Sequence, residues 1–152
     1  MPTNIDGEHP GRDQSIRLGS WGEAEGLTLG GNDRFGLSAT VWPTRPVGRQ
    51  TVLSWTADDG SAEMSLDIGE TGVMAEIRSG AGTVQVSTGS AVVPRCWYDI
   101  GLTVTTSREV VVWQRQRPRL HSAGGATEAS SRVDVGGLGG CGRVTFAASP
   151  SG

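Results

Sequence analysis

The chain has 152 residues, a formal net charge of -3, 24 glycines and 13 basic residues, all of which are arginine. This length predicts one domain with a two-layer core, and the weak, scattered charge disfavours nucleic acid or a membrane surface as a partner. No apolar run approaches the ~18 residues of a membrane span, and the N-terminus lacks the pattern of a signal peptide, so a cytoplasmic location is expected.

Short β-rich runs follow one another along the chain, and no window of ten residues keeps a helical period. Residues 1–14 are polar and predict a flexible N-terminal arm, while residues 15–152 are expected to form a single sandwich domain. After an alternating run at 15–18, the predicted strands cover residues 27–29, 36–42, 51–55, 62–68, 73–77, 84–87, 98–105, 110–114, 132–135 and 144–148. Such spacing predicts an all-β fold, a two-sheet antiparallel β-sandwich of the jelly-roll type.

The clearest alternation lies in residues 63–68 and 73–78, on either side of a short Gly-containing turn. Apolar residues occupy every second position of both runs, which predicts a hairpin with one dry face. The same alternation puts Asp67 on the wet face. The two cysteines, Cys96 and Cys141, are expected to be buried thiols rather than a disulfide, because the cytoplasm is reducing.

Four segments resemble known domains: residues 35–46 (FGLSATVWPTRP), 50–55 (QTVLSW), 96–98 (CWY) and 113–116 (WQRQ). With these segments, the run from about Ser15 to Ser149 resembles a concanavalin A-like, laminin-G-like jelly roll. It most closely resembles the N-terminal domain of N,N-dimethylformamidase large (beta) subunits. Domains of this kind usually finish with a further strand beside the first strands, which this chain lacks. We therefore expect either a fragment of a longer protein or another segment that fills the vacant sheet edge.

The motifs that suggest a cofactor or a metal each have a simpler explanation. Residues 137–142 match G-x-G-x-x-G, but a strand is predicted after them where a dinucleotide site needs a helix. His9 and His121 have no partner at ligand spacing, and both are expected in solvent. Asp58 and Asp59 precede a glycine, where Asp favours a turn more often than a calcium site. No cofactor or metal is expected in this chain.

Tryptophan and arginine supply the candidate contact residues. Trp42, Trp55, Trp97 and Trp113 lie inside β-rich runs and are expected in the core or at a subunit interface, whereas Trp21, flanked by Gly and Ser, is expected to be exposed and to contact a ligand or partner. Arg115, Arg117 and Arg119 alternate along one strand and would project three guanidinium groups to one side. That row could bind an acidic surface, or it could protect an edge strand from aggregation; both interpretations stay open.

Three functions fit the sequence. The first is a non-catalytic accessory module of a larger N,N-dimethylformamidase-like amidohydrolase, in contact with the catalytic domain or subunit of that enzyme and able to form an oligomer. The resemblance implies an iron held by tyrosines and a glutamate in that catalytic part; this chain, with Tyr98 as its single tyrosine, has no such site. The alternative is a free-standing carbohydrate-binding, lectin-like module. A jelly-roll glycanase ranks last, because no pair of carboxylates is apparent on an inward face.

Overall fold

The structure, a computed structural model, describes residues 22–30, 34–118, 124–132 and 138–146, and within these ranges the regular elements are ten β-strands. They are β1 (Gly22–Leu29), β2 (Phe35–Val41), β3 (Gln50–Ala57), β4 (Glu63–Gly69), β5 (Gly72–Ser79), β6 (Gly82–Ser87), β7 (Tyr98–Val104), β8 (Glu109–Gln116), β9 (Ala126–Arg132) and β10 (Gly140–Phe146). The all-β prediction is confirmed for this part of the chain.

The strands form two antiparallel sheets. One has six strands in the order β1-β10-β3-β4-β5-β6, and the other has four in the order β2-β7-β8-β9. The position beside the first strand, where the resemblance predicts a further strand, is occupied by β10, which pairs with both β1 and β3. Alternate residues of both sheets point inward and form one hydrophobic core, with Trp55, Met64, Leu66, Ile100 and Val112 almost or fully inaccessible to solvent.

The predicted strand positions agree with β2 to β8 to within a few residues, whereas the prediction at 27–29 covers only the last three residues of β1, the prediction at 144–148 begins four residues after the start of β10, and the strand at β9 was misplaced. Residues 132–135 were the predicted strand, but the pairing with β8 is made by Ala126–Arg132, one strand length earlier. The sequence of β9, ATEASSR, contains one β-branched residue, so its β-propensity is low and its position is set by the β8 edge that it pairs with. The predicted N-terminal arm, the run at 15–18 and residues 133–135 lie outside the described residues.

The β4–β5 hairpin is confirmed, since Met64 lies opposite Ile77 and Leu66 opposite Ala75 on the dry face. The prediction for Asp67 is wrong in one respect. Asp67 does lie on the outer face, but its side chain is fully buried. Arg49, from the loop before β3, lies over it and donates from Nε and Nη2 to Oδ2 at 3.1 and 2.8 Å. A residue distant in sequence therefore excludes water from Asp67, which local alternation does not reveal.

A buried glutamine connects the two sheets. Gln114 of β8 points into the core, and its Oε1 accepts hydrogen bonds from the backbone N–H of Val73 at 3.0 Å and from the hydroxyl of Thr88 at 2.8 Å. Its Nε2 donates to the carbonyl oxygen of Ser90 at 2.8 Å. All three partners belong to the six-stranded sheet or to the loop that leaves it. This network fixes the start of β5 and the beginning of the β6–β7 connection against β8.

Candidate functional site

Three connections lie at the same end of the sandwich: residues 42–49, residues 88–97, and the described ends of the β8–β9 connection, residues 117–118 and 124–125. They meet there because β2, β6 and β8 all end at this side, as the antiparallel pairing of Val41 with Tyr98 and of Tyr98 with Gln116 requires. Loops supported by a rigid sheet are the usual location of binding residues. This end of the four-stranded sheet is therefore the first place to look for a site.

Two tryptophans stand exposed at this end. Trp42 follows the last residue of β2 and Trp97 precedes the first residue of β7, so the two face each other one step beyond the paired strands. Their ring centroids are 5.2 Å apart and their planes meet at 61°, an edge-to-face arrangement. Trp42 is 43% exposed and Trp97 is 48% exposed. Large exposed aromatic rings are uncommon on a surface that contacts only water.

Beside the tryptophans, two arginines converge on one carboxylate. Arg117 donates from Nε and Nη2 to Oδ1 of Asp99 at 3.0 and 2.8 Å, and Arg115 donates from Nη2 to Oδ2 at 3.0 Å. Thr40 joins the cluster, with its hydroxyl 2.9 Å from Oδ1 of Asp99 and 3.1 Å from Nη2 of Arg117. Two cations against one anion leave this cluster with a net charge of +1. We call Trp42, Trp97, Asp99, Arg115 and Arg117 the tryptophan–arginine surface.

An open cleft of about 490 Å³ borders this surface. Its walls are the charged cluster on one side and, on the other, Pro118 and the Gly124-Gly125 pair, which belong to the described ends of the β8–β9 connection. The volume is in the range of small-ligand sites. Gly124 is needed for the shape of the cleft, because it has a φ of +74° and a Cβ there would lie 2.5 Å from the carbonyl oxygen of Gln116.

A third aromatic ring extends the same face. Trp113 of β8 lies across β7 so closely over Gly101 that a Cβ on that glycine would be 2.5 Å from Cζ2 of Trp113. The ring is only half-buried, because one side rests on the glycine and the sheet face continues outward. Trp113 is two residues before Arg115, so the charged cluster lies between this ring and the Trp42–Trp97 pair.

No protein-family model matches the chain, and no curated protein matches its sequence. Among solved structures, the chain is similar to the crystal structure of the LG1-3 region of the laminin alpha2 chain, with a TM-score of 0.65 at 10% sequence identity. The fold is a laminin-G-like jelly roll. The similarity covers 83% of this chain and 24% of that laminin chain, so at this identity it establishes the fold and leaves the function to the site.

The sequence predicts the core or a subunit interface for Trp42, Trp55, Trp97 and Trp113. Trp55 is fully buried as predicted, but Trp42, Trp97 and the half-buried Trp113 lie on the outer face and not in the core, so an interface stays a prediction for these three. The phase of each strand explains the difference in this laminin-G-like sandwich. Trp42 is in phase with the outward residues of β2, and Trp97 is in phase with the outward residues of β7. The sequence signal that was missed is the alternation along each strand. If that alternation had been followed to Trp42 and Trp97, it would have placed both rings on the outer, exposed face of the sheet.

Two of the three arginines of the predicted row, Arg115 and Arg117, lie within the residues that the structure describes. Arg115 of β8 and Arg117, one residue beyond the end of β8, project to the same side, and Asp99 of the neighbouring strand contacts both. No sequence signal pointed to Asp99, since its partners are 16 and 18 residues away. Arg119, Trp21, His9 and His121 lie outside the described residues.

Other sequence candidates have structural explanations in the laminin-G-like fold. Gly140–Phe146 is a strand, so the G-x-G-x-x-G run opens no helix and the dinucleotide interpretation stays rejected. Asp59 accepts a hydrogen bond from the backbone N–H of Ser61 at 2.9 Å, as the turn interpretation predicts. Both cysteines are free as expected, but Cys141 is exposed on β10 instead of buried. Cys96 and Cys141 lie at opposite ends of the sandwich, which explains why they form no disulfide.

Within the described ranges, no three His, Cys, Asp or Glu side chains are grouped as a metal ion would require. Over the same ranges, no helix is long and apolar enough to cross a membrane.

Acid is expected to weaken the charged cluster. The hydrogen bond from Arg117, with smaller contributions from Thr40 and Arg115, holds the pKa of Asp99 well below its usual range. A depressed pKa means that the cluster stabilises the fold fully above the unfolded value, near 3.8, and that this contribution is lost as the pH falls below it. The effect should be small, because water screens the exposed arginines.

The measurement is the urea midpoint of unfolding at pH 7 and pH 3 for the native chain and for Asp99→Asn. The difference between the two chains should be greater at pH 7 than at pH 3. A difference that is the same at both pH values would contradict the assigned role of the Asp99 carboxylate.

Proposed function

We propose that this chain is a non-catalytic interaction module and that the tryptophan–arginine surface is its binding site. One observation carries the proposal: an exposed Trp42–Trp97 pair stands directly beside two exposed arginines held by Asp99. Trp and Arg are the residue types that most often dominate binding energy at interfaces, and a rigid sheet holds these in place without a partner. Their arrangement supports recognition rather than bond cleavage.

The partner we propose is the catalytic part of a larger N,N-dimethylformamidase-like amidohydrolase. The support is the sequence resemblance of the segments at 35–46, 50–55, 96–98 and 113–116. In this proposal the iron belongs to the catalytic part, the location is cytoplasmic, and the surface contributes to contacts between domains or subunits. The rings of Trp42 and Trp97 would fill an apolar pocket on the partner, and Arg115 and Arg117 would meet acidic side chains at its rim.

The test begins with the reading frame on both sides of the gene segment that encodes this chain. If that frame encodes a tyrosine-containing catalytic region, the region and the present chain are purified separately and mixed. Purified residues 1–152 should release neither dimethylamine nor formate from N,N-dimethylformamide, and should bind the catalytic region in calorimetry. Hydrolysis by the isolated chain would contradict the non-catalytic role, and a frame without such a region would contradict the dimethylformamidase assignment.

Removal of one exposed ring should weaken the interaction. Trp97→Ala is expected to weaken binding by tenfold or more, since truncation of a central tryptophan typically costs about 2 kcal/mol or more. The control is Phe146→Ala, which removes an aromatic ring that is 36% exposed on the other sheet. If both substitutions weaken binding equally, or if neither does, the tryptophan–arginine surface is not the binding site.

A specific observation also favours the alternative, a carbohydrate-binding module. The exposed rings offer apolar faces that can stack on a sugar, and the adjacent Arg, Asp and Thr side chains offer both donors and acceptors for hydroxyl groups. A glycan array with the native chain tests the carbohydrate-binding function, and the Trp97→Ala variant is the negative control. Saturable binding of at least one glycan that Trp97→Ala loses would favour this function over the protein partner.

A further inference from the structure

The geometry points to a ligand class for this surface: a saccharide chain that carries carboxylate groups, bound with a carboxylate in the cleft beside Arg115 and Arg117 and with sugar rings on the tryptophans. This inference rests on the carbohydrate-binding alternative above and makes it more specific. Three features support it: the unused donors of the two arginines, the excess of positive charge, and the aromatic rings on both sides of the charged cluster.

The arginines retain hydrogen-bonding capacity. A guanidinium group has five N–H donors, and Arg115 places only Nη2 on Asp99. Arg117 uses Nε and Nη2, so that Nη1 of each arginine makes no hydrogen bond to a residue in the described part of the chain. The two side chains are 65% and 52% exposed, which leaves these donors accessible from the cleft. A planar carboxylate is the group that such donors bind with two parallel hydrogen bonds.

The charge balance selects an anion over a neutral hydroxyl. Asp99 neutralises one of the two guanidinium groups, so the three-residue cluster keeps a net charge of +1, which a single carboxylate on the ligand would neutralise. Glu128, opposite Trp113 on β9, adds a carboxylate at the Trp113 end of the same face, so the ligand carboxylate is expected beside the arginines and not beside Trp113. Asp99 also holds both arginines in position before a ligand arrives, so that little side-chain freedom remains to be lost on binding.

The aromatic rings make the site longer than one sugar. On one side of the charged cluster lies Trp113 over Gly101, and on the other the Trp42–Trp97 pair. Each is displaced by two strand residues from the Asp99–Arg115 pair, which is about 7 Å along the sheet in each direction. A chain that stacks on both sides while its carboxylate meets the arginines has to contain several sugar units. We therefore expect affinity to rise with the length of the oligosaccharide.

The test uses the purified chain and defined oligosaccharides in calorimetry. The panel contains oligogalacturonates, oligomannuronates and oligoglucuronates of increasing length, and each acidic oligosaccharide is paired with its methyl ester, which has the same backbone and no charge. The variants are Trp97→Ala, Arg115→Gln and Arg117→Gln. Arg78→Gln is the matched control, because Arg78 is 58% exposed on the other sheet. Thermal unfolding of every variant verifies that it is folded.

We expect at least one acid form to bind about tenfold more tightly than its methyl ester, and Arg115→Gln and Arg117→Gln each to lose about tenfold for the acid form only. Trp97→Ala should weaken binding of both forms, and Arg78→Gln should change neither. Equal binding of acid and ester would overturn the carboxylate inference while leaving the carbohydrate function intact. Failure of every saccharide to bind would overturn both. If Arg78→Gln lowers the affinity for the acid form as much as Arg115→Gln and Arg117→Gln do, the effect is a general attraction between charges, and the proposed site is wrong.

Discussion

Replacing Gly72 with alanine is expected to lower the free energy of unfolding by about 3–5 kcal/mol, one of the largest effects of any single methyl group in this protein. Gly72 begins β5 with a φ of +95°, a conformation that L-residues rarely adopt. A Cβ there would overlap the carbonyl oxygen of Ser90, and would lie 2.5 Å from Oγ1 of Thr88 and 2.9 Å from Oε1 of Gln114. The new methyl group would separate the hydrogen-bonded groups that connect the sheets.

The matched control is Gly60→Ala. Gly60 also has a positive φ, +71°, but no atom lies within 4 Å of the position that its Cβ would take. Backbone strain alone should therefore cost about 1–2 kcal/mol there. Urea denaturation followed by tryptophan fluorescence compares the two. If Gly72→Ala loses no more stability than Gly60→Ala, crowding around Gln114 is not what requires glycine at position 72.

Replacing Gln114 with leucine is expected to cost about 3 kcal/mol, which for a domain of this size lowers the Tm by roughly 10 °C. The two side chains are similar in volume, so packing changes little. The loss arises because the hydroxyl of Thr88 and the carbonyl of Ser90 would lose their Gln114 partner inside the sandwich, while the N–H of Val73 would keep only its 3.2 Å hydrogen bond to Oγ1 of Thr88. A buried polar group without a partner carries its full desolvation penalty.

Gln116→Leu is the control for this substitution. Gln116 is two residues further along the same strand, is only half-buried and makes no side-chain hydrogen bond within the described residues. Its replacement should change the Tm by no more than about 2 °C. Differential scanning calorimetry measures both variants. A loss at Gln114 no greater than that at Gln116 would show that the inter-sheet hydrogen bonds contribute little.

The same network bears on function, because it holds the connection that carries Trp97. Gln114 fixes Thr88 and Ser90 at the start of this connection, and Arg95 near its end donates its backbone N–H to the carbonyl of Pro43 at 2.8 Å. Trp97 therefore leaves an anchored loop next to the segment that carries Trp42. Gln114→Leu should weaken any binding at the tryptophan–arginine surface even though Gln114 does not reach that surface, since rigid placement of the rings limits the entropy lost on binding.

Local sequence patterns were enough to predict the class of the fold and most of its strands. Alternation of apolar and polar residues, together with the turn glycines, is a local property, and it located the β4–β5 hairpin with the correct faces. It failed at β9, where the residues have little preference for a strand and the edge of β8 decides the pairing.

Tertiary structure alone decided the site. Asp99 meets Arg115 and Arg117 because β7 and β8 are neighbours in register, and Arg49 buries Asp67 because a loop folds back over a sheet; neither contact has a signature in the local sequence. Trp42 and Trp97 are an intermediate case. The phase of their strands already placed them on the outer face, but only the pairing of β2 with β7 brings the two rings together, because contacts across a sheet depend on strand order, which local sequence does not encode.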